Sequence, residues 1–139
     1  MNKKITPFYL IYPILLSTIN VSAGQTHQYE PFIDTLTGVI HRETFPGTPN
    51  YESIKDGDEI ESYWILFLDH PIAVQQGSEV DVAESNVSKT QIIPSSPAQY
   101  KKYHNLIGKR VRVIGKLMHQ ISGHHKTKVL ILAEKMDAV

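Results

Sequence analysis

Short stretches of alternating or unbroken apolar residues recur along the chain from residue 36 onward. Stretches of this length, bounded by Gly, Pro or polar clusters, are typical of β-strands. Residues 63–68 are all apolar or aromatic, which predicts a strand buried on both faces that continues to Val74 if the pattern is extended. Gly38 indicates a bend or a close approach of another backbone. The pattern predicts five strands, at residues 36–42, 63–68, 88–93, 109–119 and 128–134.

A helix is predicted between the third and fourth strands. Ser96 is placed as its N-cap and Pro97 at its first position, and Gln99 completes a capping box. Apolar residues at helical spacing precede a terminating glycine: Tyr100, Tyr103, Ile107 and Gly108. One helix between strands three and four is the arrangement of an OB-fold. We therefore expect a mainly β chain, a small five-stranded OB-fold-like barrel; another small barrel or an open sheet with one helix is the alternative.

The first residues have the order of features found in a secretory signal. Lys3 and Lys4 precede a mostly apolar segment, residues 5–19, and small residues end at Ala23. Prolines interrupt the apolar segment, which is also short for a membrane-spanning helix. Residues 1–23 are therefore predicted to be a cleavable signal peptide, and the protein to be periplasmic or secreted.

The remainder, residues 24–139, has the length of a single domain, and its first residues, 24–33, are polar and predicted to be loose. The chain has 14 Lys+Arg and 14 Asp+Glu; two lysines leave with the signal, so the balance becomes 12 − 14 = −2. Such a chain lacks the basic surface of a nucleic-acid binder, so nucleic acid is not expected as a partner. It has no Cys and therefore no disulfides, and no segment after the signal is apolar enough to span a bilayer.

A histidine-rich hairpin joins strands four and five. If His119 faces His125, then Leu117 faces Thr127, and apolar residues of the two strands pair on one face. The Cβ atoms of the two histidines would then lie about 4.5–5.5 Å apart, close enough to share a metal ion or to hold an anion. His124 would sit in the turn. The candidate binding residues are His119, His124, His125 and Thr127; the candidate metal ligands are His119 and His125, with zinc or copper as the ion.

Two histidines are too few for a zinc site, which uses three or four protein ligands. Further ligands would have to come from His41, His70, Asp69 or a loop carboxylate. The alternative is a polar turn whose imidazoles bond backbone carbonyls.

Other groups of residues carry weaker signals. Four carboxylates near a turn, Asp56, Asp58, Glu59 and Glu61, do not have EF-hand spacing and are interpreted as a solvated turn. Trp64 and Phe67 could form a stacking face, but their apolar strand favours core packing. In Asp69-His70-Pro71 a carboxylate could orient an imidazole, although adjacent strand residues face opposite ways. None of these groups amounts to a catalytic constellation.

Short motifs are spread over nearly all of residues 24–139, at 47–54, 63–66, 68–72, 108–111, 115–119 and 123–127. The most specific is Gly-His-His-x-Thr at 123–127, after Gly-x-Leu-x-His at 115–119. Together they resemble an uncharacterised family of short exported bacterial proteins, a domain of unknown function numbered 4431. The resemblance implies an exported, β-rich domain and no known activity. It also implies two departures: Lys126 stands where a third consecutive His is usual, and Ala73 where a Cys is common.

These features lead to three functional hypotheses. The preferred one is an exported binding module that recognises a small ligand, a metal ion or a protein partner through the hairpin. The second is an inhibitor or immunity-like partner of a cell-envelope enzyme, with residues 45–60 and the hairpin as the contact surface. The third is a metal-dependent hydrolase, which requires a third ligand and an open coordination position near a carboxylate base.

Overall fold

The computed structural model describes residues 25–139, so the predicted signal peptide lies outside the described residues. The strands are β1 (Thr26–His27), β2 (Ile33–Pro46), β3 (Ile60–Val74), β4 (Glu84–Pro94), β5 (Arg110–His119) and β6 (Val129–Ala138). This part of the chain also has one α-helix, α1 (Pro97–Tyr103), and two 3-10 turns, Ile54–Asp56 and His104–Leu106. None of its helices is long and apolar enough to cross a membrane.

The prediction of a mainly β chain with one helix after the third predicted strand is confirmed. All five predicted strands are present, and most extend past the predicted bounds because polar residues at their ends continue the pairing. The sixth strand, β1, lies in a segment predicted to be loose. With two residues it is too short to show a periodic pattern, and only its pairing with β3 defines it.

The six strands form one sheet in the order β1-β3-β2-β5-β6-β4, with an additional pairing between β3 and β4. Because of that additional pairing, each strand from β2 to β6 has two neighbours within this group of five. The pairing of β4 with β6 is parallel, whereas the other four pairings in the group are antiparallel.

One face of the strands supplies the hydrophobic core. The residues predicted to share one face of β5 and one face of β6 are all buried: Val111, Val113, Leu117, Val129, Ile131 and Ala133. Trp64 is buried in this core as predicted, and its ring packs against that of Tyr100 on α1, with 5.0 Å between centroids. Tyr103 and Leu106, from the end of the helical segment, are also buried there.

Helix α1 begins where it is predicted to, with Ser96 as N-cap and Pro97 at the first position. The predicted capping box is wrong, because the Ser96 side chain makes no capping hydrogen bond. Instead the Gln99 amide accepts from the backbone N–H of Ser95 and donates to the carbonyl of Glu134, which ties α1 to β6. The α-helix ends at Tyr103, earlier than predicted, and a 3-10 turn continues towards Gly108.

The predicted register of the β5–β6 hairpin is wrong. His119 pairs with Val129 instead of His125, and Leu117 pairs with Ile131 instead of Thr127. From His119 to Gly115 the partner moves by four residues, an even number, so the inward faces of both strands are preserved. The hairpin loop is therefore longer than predicted, and the two histidines are not cross-strand neighbours. A β-bulge between Ile114 and Gly115 adds one residue to the shift beyond that point.

The β2–β3 pairing ends at a close approach of two backbones. Gly38 pairs with Leu68, the last pair of that ladder, and a Cβ atom at Gly38 would overlap the carbonyl oxygen of Phe67. The close approach predicted from this glycine is thereby confirmed. Beyond it the two strands separate, and residues 33–37 of β2 pair only with β5.

A Gly38→Ala variant should be destabilised by about 1–3 kcal/mol, because the added methyl group meets backbone atoms that cannot rotate away. Urea denaturation followed by tryptophan fluorescence would measure the loss. Gly77→Ala is the matched control, because its Cβ would meet only the side chains of Asp81 and Tyr29. Equal losses in the two variants would contradict the assignment of a backbone clash.

Candidate functional site

The loop between β5 and β6, residues 120–128, is here named the arm; it folds back against the outer side of β4. Gln91, which is 2% exposed, anchors it: its side chain donates to the carbonyl of His124 (3.1 Å) and accepts from the N–H of Lys126 (2.6 Å). The N–H of Gln91 also donates to the Thr127 hydroxyl (2.8 Å), which donates to the carbonyl of Val129 (2.7 Å). The structure therefore places Thr127 in the support of the arm.

The loop between β2 and β3, residues 47–59, is organised by a single carboxylate. Asp58 is 6% exposed and accepts hydrogen bonds from the backbone N–H groups of Asn50, Glu52 and Ser53, at 2.7–2.9 Å. The bond from Ser53, followed by those from the other amides, outweighs burial and lowers the pKa of Asp58. The interpretation of this acidic turn as solvated is thus wrong for Asp58.

The loop and the arm meet at Tyr51. Its backbone has φ 59°, in the left-handed region that few non-glycine residues adopt. Its ring lies against Gly123 so closely that a Cβ atom there would be 3.1 Å from ring carbons. A close fit between an aromatic ring and a glycine holds the two segments side by side.

At this junction His124 is held by three side chains. Its Nδ1 lies 2.9 Å from a carboxylate oxygen of Glu61 and 3.3 Å from the Tyr63 hydroxyl, and its Nε2 lies 3.1 Å from the Tyr51 hydroxyl. The Tyr51 ring also meets the imidazole edge-on, with 5.3 Å between centroids. The His124 side chain is nevertheless 53% exposed, so an oriented imidazole faces solvent.

Lys126 lies beneath His124 and fixes the arm to the sheet. Its side chain is 8% exposed, and its ammonium donates to the carbonyls of Pro46 (3.1 Å) and Gly123 (2.8 Å). The ammonium also lies 3.4 Å from a carboxylate oxygen of Glu61, so its charge is paired as well as hydrogen-bonded. Three aromatic rings surround it at 5.0–5.8 Å, those of Phe45, Tyr51 and Tyr63.

Glu61 is the common partner of these groups. Burial acts to raise the pKa of Glu61, but the hydrogen bond from Tyr63 and the charges of His124 and Lys126 outweigh it and hold that pKa below its usual range. Burial and the bond to Glu61 raise the pKa of Tyr63, so its hydroxyl stays protonated and keeps donating. The cluster thus joins β3, the loop and the arm through one ionised carboxylate.

The other two predicted histidines, His119 and His125, make their hydrogen bonds to partners outside this cluster. His119 places Nε2 2.8 Å from Glu84 and Nδ1 3.2 Å from the carbonyl of Gln120. His125 accepts from the backbone N–H of Ile121 (2.9 Å), and burial, followed by the charge of His124, lowers its pKa. Residues 25–139 contain no group of three or more His, Cys, Asp or Glu arranged to hold a metal ion.

Phe67 and Asp69 do not have the surroundings that the sequence analysis considered for them. Phe67 lies opposite the core, where it packs against His41 (4.4 Å between centroids) and beneath the ammonium of Lys89 (4.2 Å). Core packing, predicted for Phe67 together with Trp64, is therefore wrong for Phe67. Asp69 pairs at 2.6 Å with Arg110, which lies on β5, the strand on the other side of β2.

The sequence analysis does not identify three residues that build this site: Tyr51, Tyr63 and Gln91. Tyr51 lies within the loop named as a contact surface, without a signal that it meets the arm. The one available signal is Gln91, a glutamine within the predicted strand 88–93. A buried amide requires polar partners, so its position there predicts a contact with another polar segment.

The comparison with protein families bears on this region directly. Residues 89–137 match the model of a family described as Domain of unknown function (DUF4431). The family resemblance is confirmed. The matched segment holds β5, the arm and nearly all of β6, and therefore His124 and Lys126. No curated protein matches the chain.

A Lys126→Met variant should lose about 1–3 kcal/mol of unfolding free energy, because it keeps the buried stem but removes the charge paired with Glu61 and the donor to two carbonyls. Chemical denaturation would measure the change, and hydrogen exchange should show faster exchange in the arm. Lys128→Met is the control, since that side chain is 69% exposed. Equal effects of the two substitutions would count against the arm attachment.

Replacing Glu61 should change how stability depends on pH. Its folded-state pKa is lowered, so its contribution is present above the ordinary carboxyl pKa and is lost as pH falls through the folded value. The stability difference between the wild type and Glu61→Gln should therefore shrink as the pH falls below about 5, through the ordinary carboxyl pKa and on to the lower folded value. Thermal unfolding across that range would test this, with exposed Glu79→Gln as control. A constant difference would contradict it.

Proposed function

We propose that the protein is an exported binding module, periplasmic or secreted, that recognises a protein partner in the cell envelope. The partner would contact the surface formed by the loop (residues 47–59) and the arm (residues 120–128), named here the loop–arm surface. Export is supported by the charge and apolar pattern of residues 1–23 and is consistent with the family resemblance.

We further propose that the domain is an OB-like barrel. Five strands each have two neighbours within their group, the third and fifth of them are parallel, and α1 follows the third. In an OB-fold, the loop between the first two strands and the loop between the last two flank the ligand-binding face. Those two loops correspond here to the loop and the arm.

The observation that carries a protein partner is the character of the loop–arm surface. Within residues 25–139, two of the most exposed apolar side chains lie on it or at its edge, Ile60 (67% exposed) and Ile121 (68%), and the His124 side chain on the same surface is half-exposed. Aromatic and apolar groups with a few oriented polar groups are typical of the centre of a protein interface. A groove of about 830 Å³ in residues 25–139 is lined by neither segment, so the case for a partner rests on the exposed side chains of the loop–arm surface.

The attachments beneath this surface favour recognition as well. Asp58 fixes the loop, Gln91 and Lys126 fix the arm, and Glu61 joins them. A surface that is ordered before binding loses less conformational entropy when a partner arrives.

A small ligand at His124 is the second candidate, supported by its half-exposed imidazole between two tyrosine hydroxyls. If the ligand is a metal ion, zinc or copper would bind the hairpin histidines. Two contacts oppose a metal ion at His124: Glu61 already holds its Nδ1, and the Lys126 ammonium beside Glu61 repels a cation. No observation in residues 25–139 favours the metal-dependent hydrolase.

Site-specific photo-crosslinking in the native host would test the proposal. A photoreactive residue replacing Ile121 should give one discrete adduct, which Ile60→Lys should weaken at least about tenfold by placing a charge in the apolar contact. The control carries the same group at Val80, which is equally exposed (63%) but lies outside the loop–arm surface.

No adduct from position 121, or the same adducts from both positions, would rule out a partner at this surface.

Titration of the same protein with zinc and copper, beside a His119→Ala, His125→Ala variant, would decide whether the hairpin binds a metal ion. Mass spectrometry of the recovered protein should find a chain that begins at Gly24.

A further inference from the structure

Acidic and basic residues are separated along the chain, although the totals of 14 Lys+Arg and 14 Asp+Glu balance. Residues 25–84 hold 12 Asp or Glu and two Lys or Arg, so their formal charge is 2 − 12 = −10. Residues 85–133 hold nine Lys or Arg and no Asp or Glu, so their formal charge is +9. An asymmetry of this size indicates contact with an anionic surface, either a membrane or a nucleic acid.

The structure concentrates part of this positive charge where α1 leads into β5. Five basic residues lie within residues 101–112 and all are exposed: Lys101, Lys102, Lys109, Arg110 and Arg112. Tyr103 and Leu106 are buried in the core between them, and so hold this stretch against the sheet with its basic side chains in solvent. Backbone bonds from Ile107 to the carbonyl of His104 and from Lys109 to that of Leu106 keep the stretch compact.

Most of these cations lack a counter-charge. Within residues 25–139, only Arg110 among the five has an acidic group at ion-pair distance, the carboxylate of Asp69 at 2.6 Å. Asp137 lies opposite Arg112 in the β5–β6 ladder, but its carboxylate is 3.4 Å from the ammonium of Lys135. The other four are here named the basic patch: Lys101, Lys102, Lys109 and Arg112. Like charges held together in this way repel one another, and the binding of anions relieves that repulsion.

The surroundings of the basic patch favour an extended anionic surface over a single small anion. The groove of about 830 Å³ is lined by Arg110 and by none of the four patch residues. The patch consists of exposed side chains, three of them lysines, which carry compact charges on flexible stems. Such side chains suit many weak contacts with repeated charges better than one precise contact.

The distribution of acidic residues favours a lipid surface over nucleic acid. Oligonucleotides bind an OB-fold beside the loop between its first two strands. The corresponding loop here, residues 47–59, holds four carboxylates and one lysine, which would repel phosphates. Tyr100 is 43% exposed on α1, directly before the two lysines of that helix. Tyrosine is enriched where proteins meet the headgroup region of a membrane.

We propose that the basic patch binds the phosphate groups of anionic phospholipids and holds the protein reversibly at a membrane surface. The ammonium and guanidinium groups would donate to phosphate oxygens of the headgroups. A lysine or arginine close to an anionic membrane raises the affinity about fivefold, so the four cations act together. Residues 25–84, with their formal charge of −10, are repelled by the same surface and face away from it. The basic patch shares no residue with the loop–arm surface, so either proposal can fail alone.

Vesicle flotation tests the proposal on protein purified after expression of the full chain, whose first residue is read by mass spectrometry. One set of vesicles contains phosphatidylcholine and anionic phosphatidylglycerol, and the other contains phosphatidylcholine only. The protein should float with the anionic vesicles and not with the neutral ones. Binding should be lost in about 1 M salt, because exposed charges are then screened beyond about 3 Å.

Two triple variants separate the patch from the total charge. The test variant replaces three lysines of the patch: Lys101→Gln, Lys102→Gln and Lys109→Gln. The control loses the same charge from exposed lysines outside the patch: Lys55→Gln, Lys89→Gln and Lys128→Gln. The test variant should bind the anionic vesicles at least about tenfold more weakly than the wild type, and the control within about threefold of it. All six side chains are exposed, so both variants should keep the fold, which their melting temperatures check.

Absence of binding to the anionic vesicles, or equal binding to both kinds, would overturn the proposal. Equal losses in the two triple variants would also overturn it, because total charge and not the patch would then hold the protein. A DNA duplex that binds the protein more tightly than the vesicles do, at equal phosphate concentration, would identify nucleic acid as the partner and exclude the membrane.

Discussion

The loop–arm surface depends on the buried ammonium of Lys126. It joins carbonyls at Pro46 and Gly123 to the carboxylate of Glu61, and so connects the end of β2, the arm and the start of β3. Burial of an ammonium is favourable only when its protons are hydrogen-bonded and its charge is paired, and both conditions are met here. The arm is thus held by a charged anchor as well as by apolar contacts.

The family resemblance implies a histidine at position 126, where this chain has a lysine, and the contacts of Lys126 show what the lysine provides. A histidine has a shorter side chain and at most two donors, so it could not satisfy the three acceptors that Lys126 reaches. Lys126 therefore attaches the arm in a way that a histidine could not, and His124 is the histidine presented to solvent.

Features of the structure that depend on neighbouring residues alone could be predicted from the sequence. Alternation identified the inward faces of β5 and β6, Gly38 identified the close backbone approach, and Ser96-Pro97 identified the start of α1. Register was beyond its reach: pairing His119 with His125 or with Val129 leaves the same side chains inward, so hydrophobicity cannot separate the two. The cluster was equally inaccessible, because His124 meets Tyr51 and Tyr63 across 73 and 61 residues and polar contacts over such separations leave no periodic pattern.

Those separations have a consequence for the order of folding. Lys126 reaches Pro46 across 80 residues, and Gln91 reaches the arm across 33 to 36. Contacts of this kind incur the cost of closing long loops before they contribute any stability. The arm contacts β4 and the adjoining ends of β2 and β3, so we expect it to dock only after these strands have come together. The loop–arm surface is in this sense a marker of the completely folded chain, and the proposed partner would bind only molecules that have finished folding.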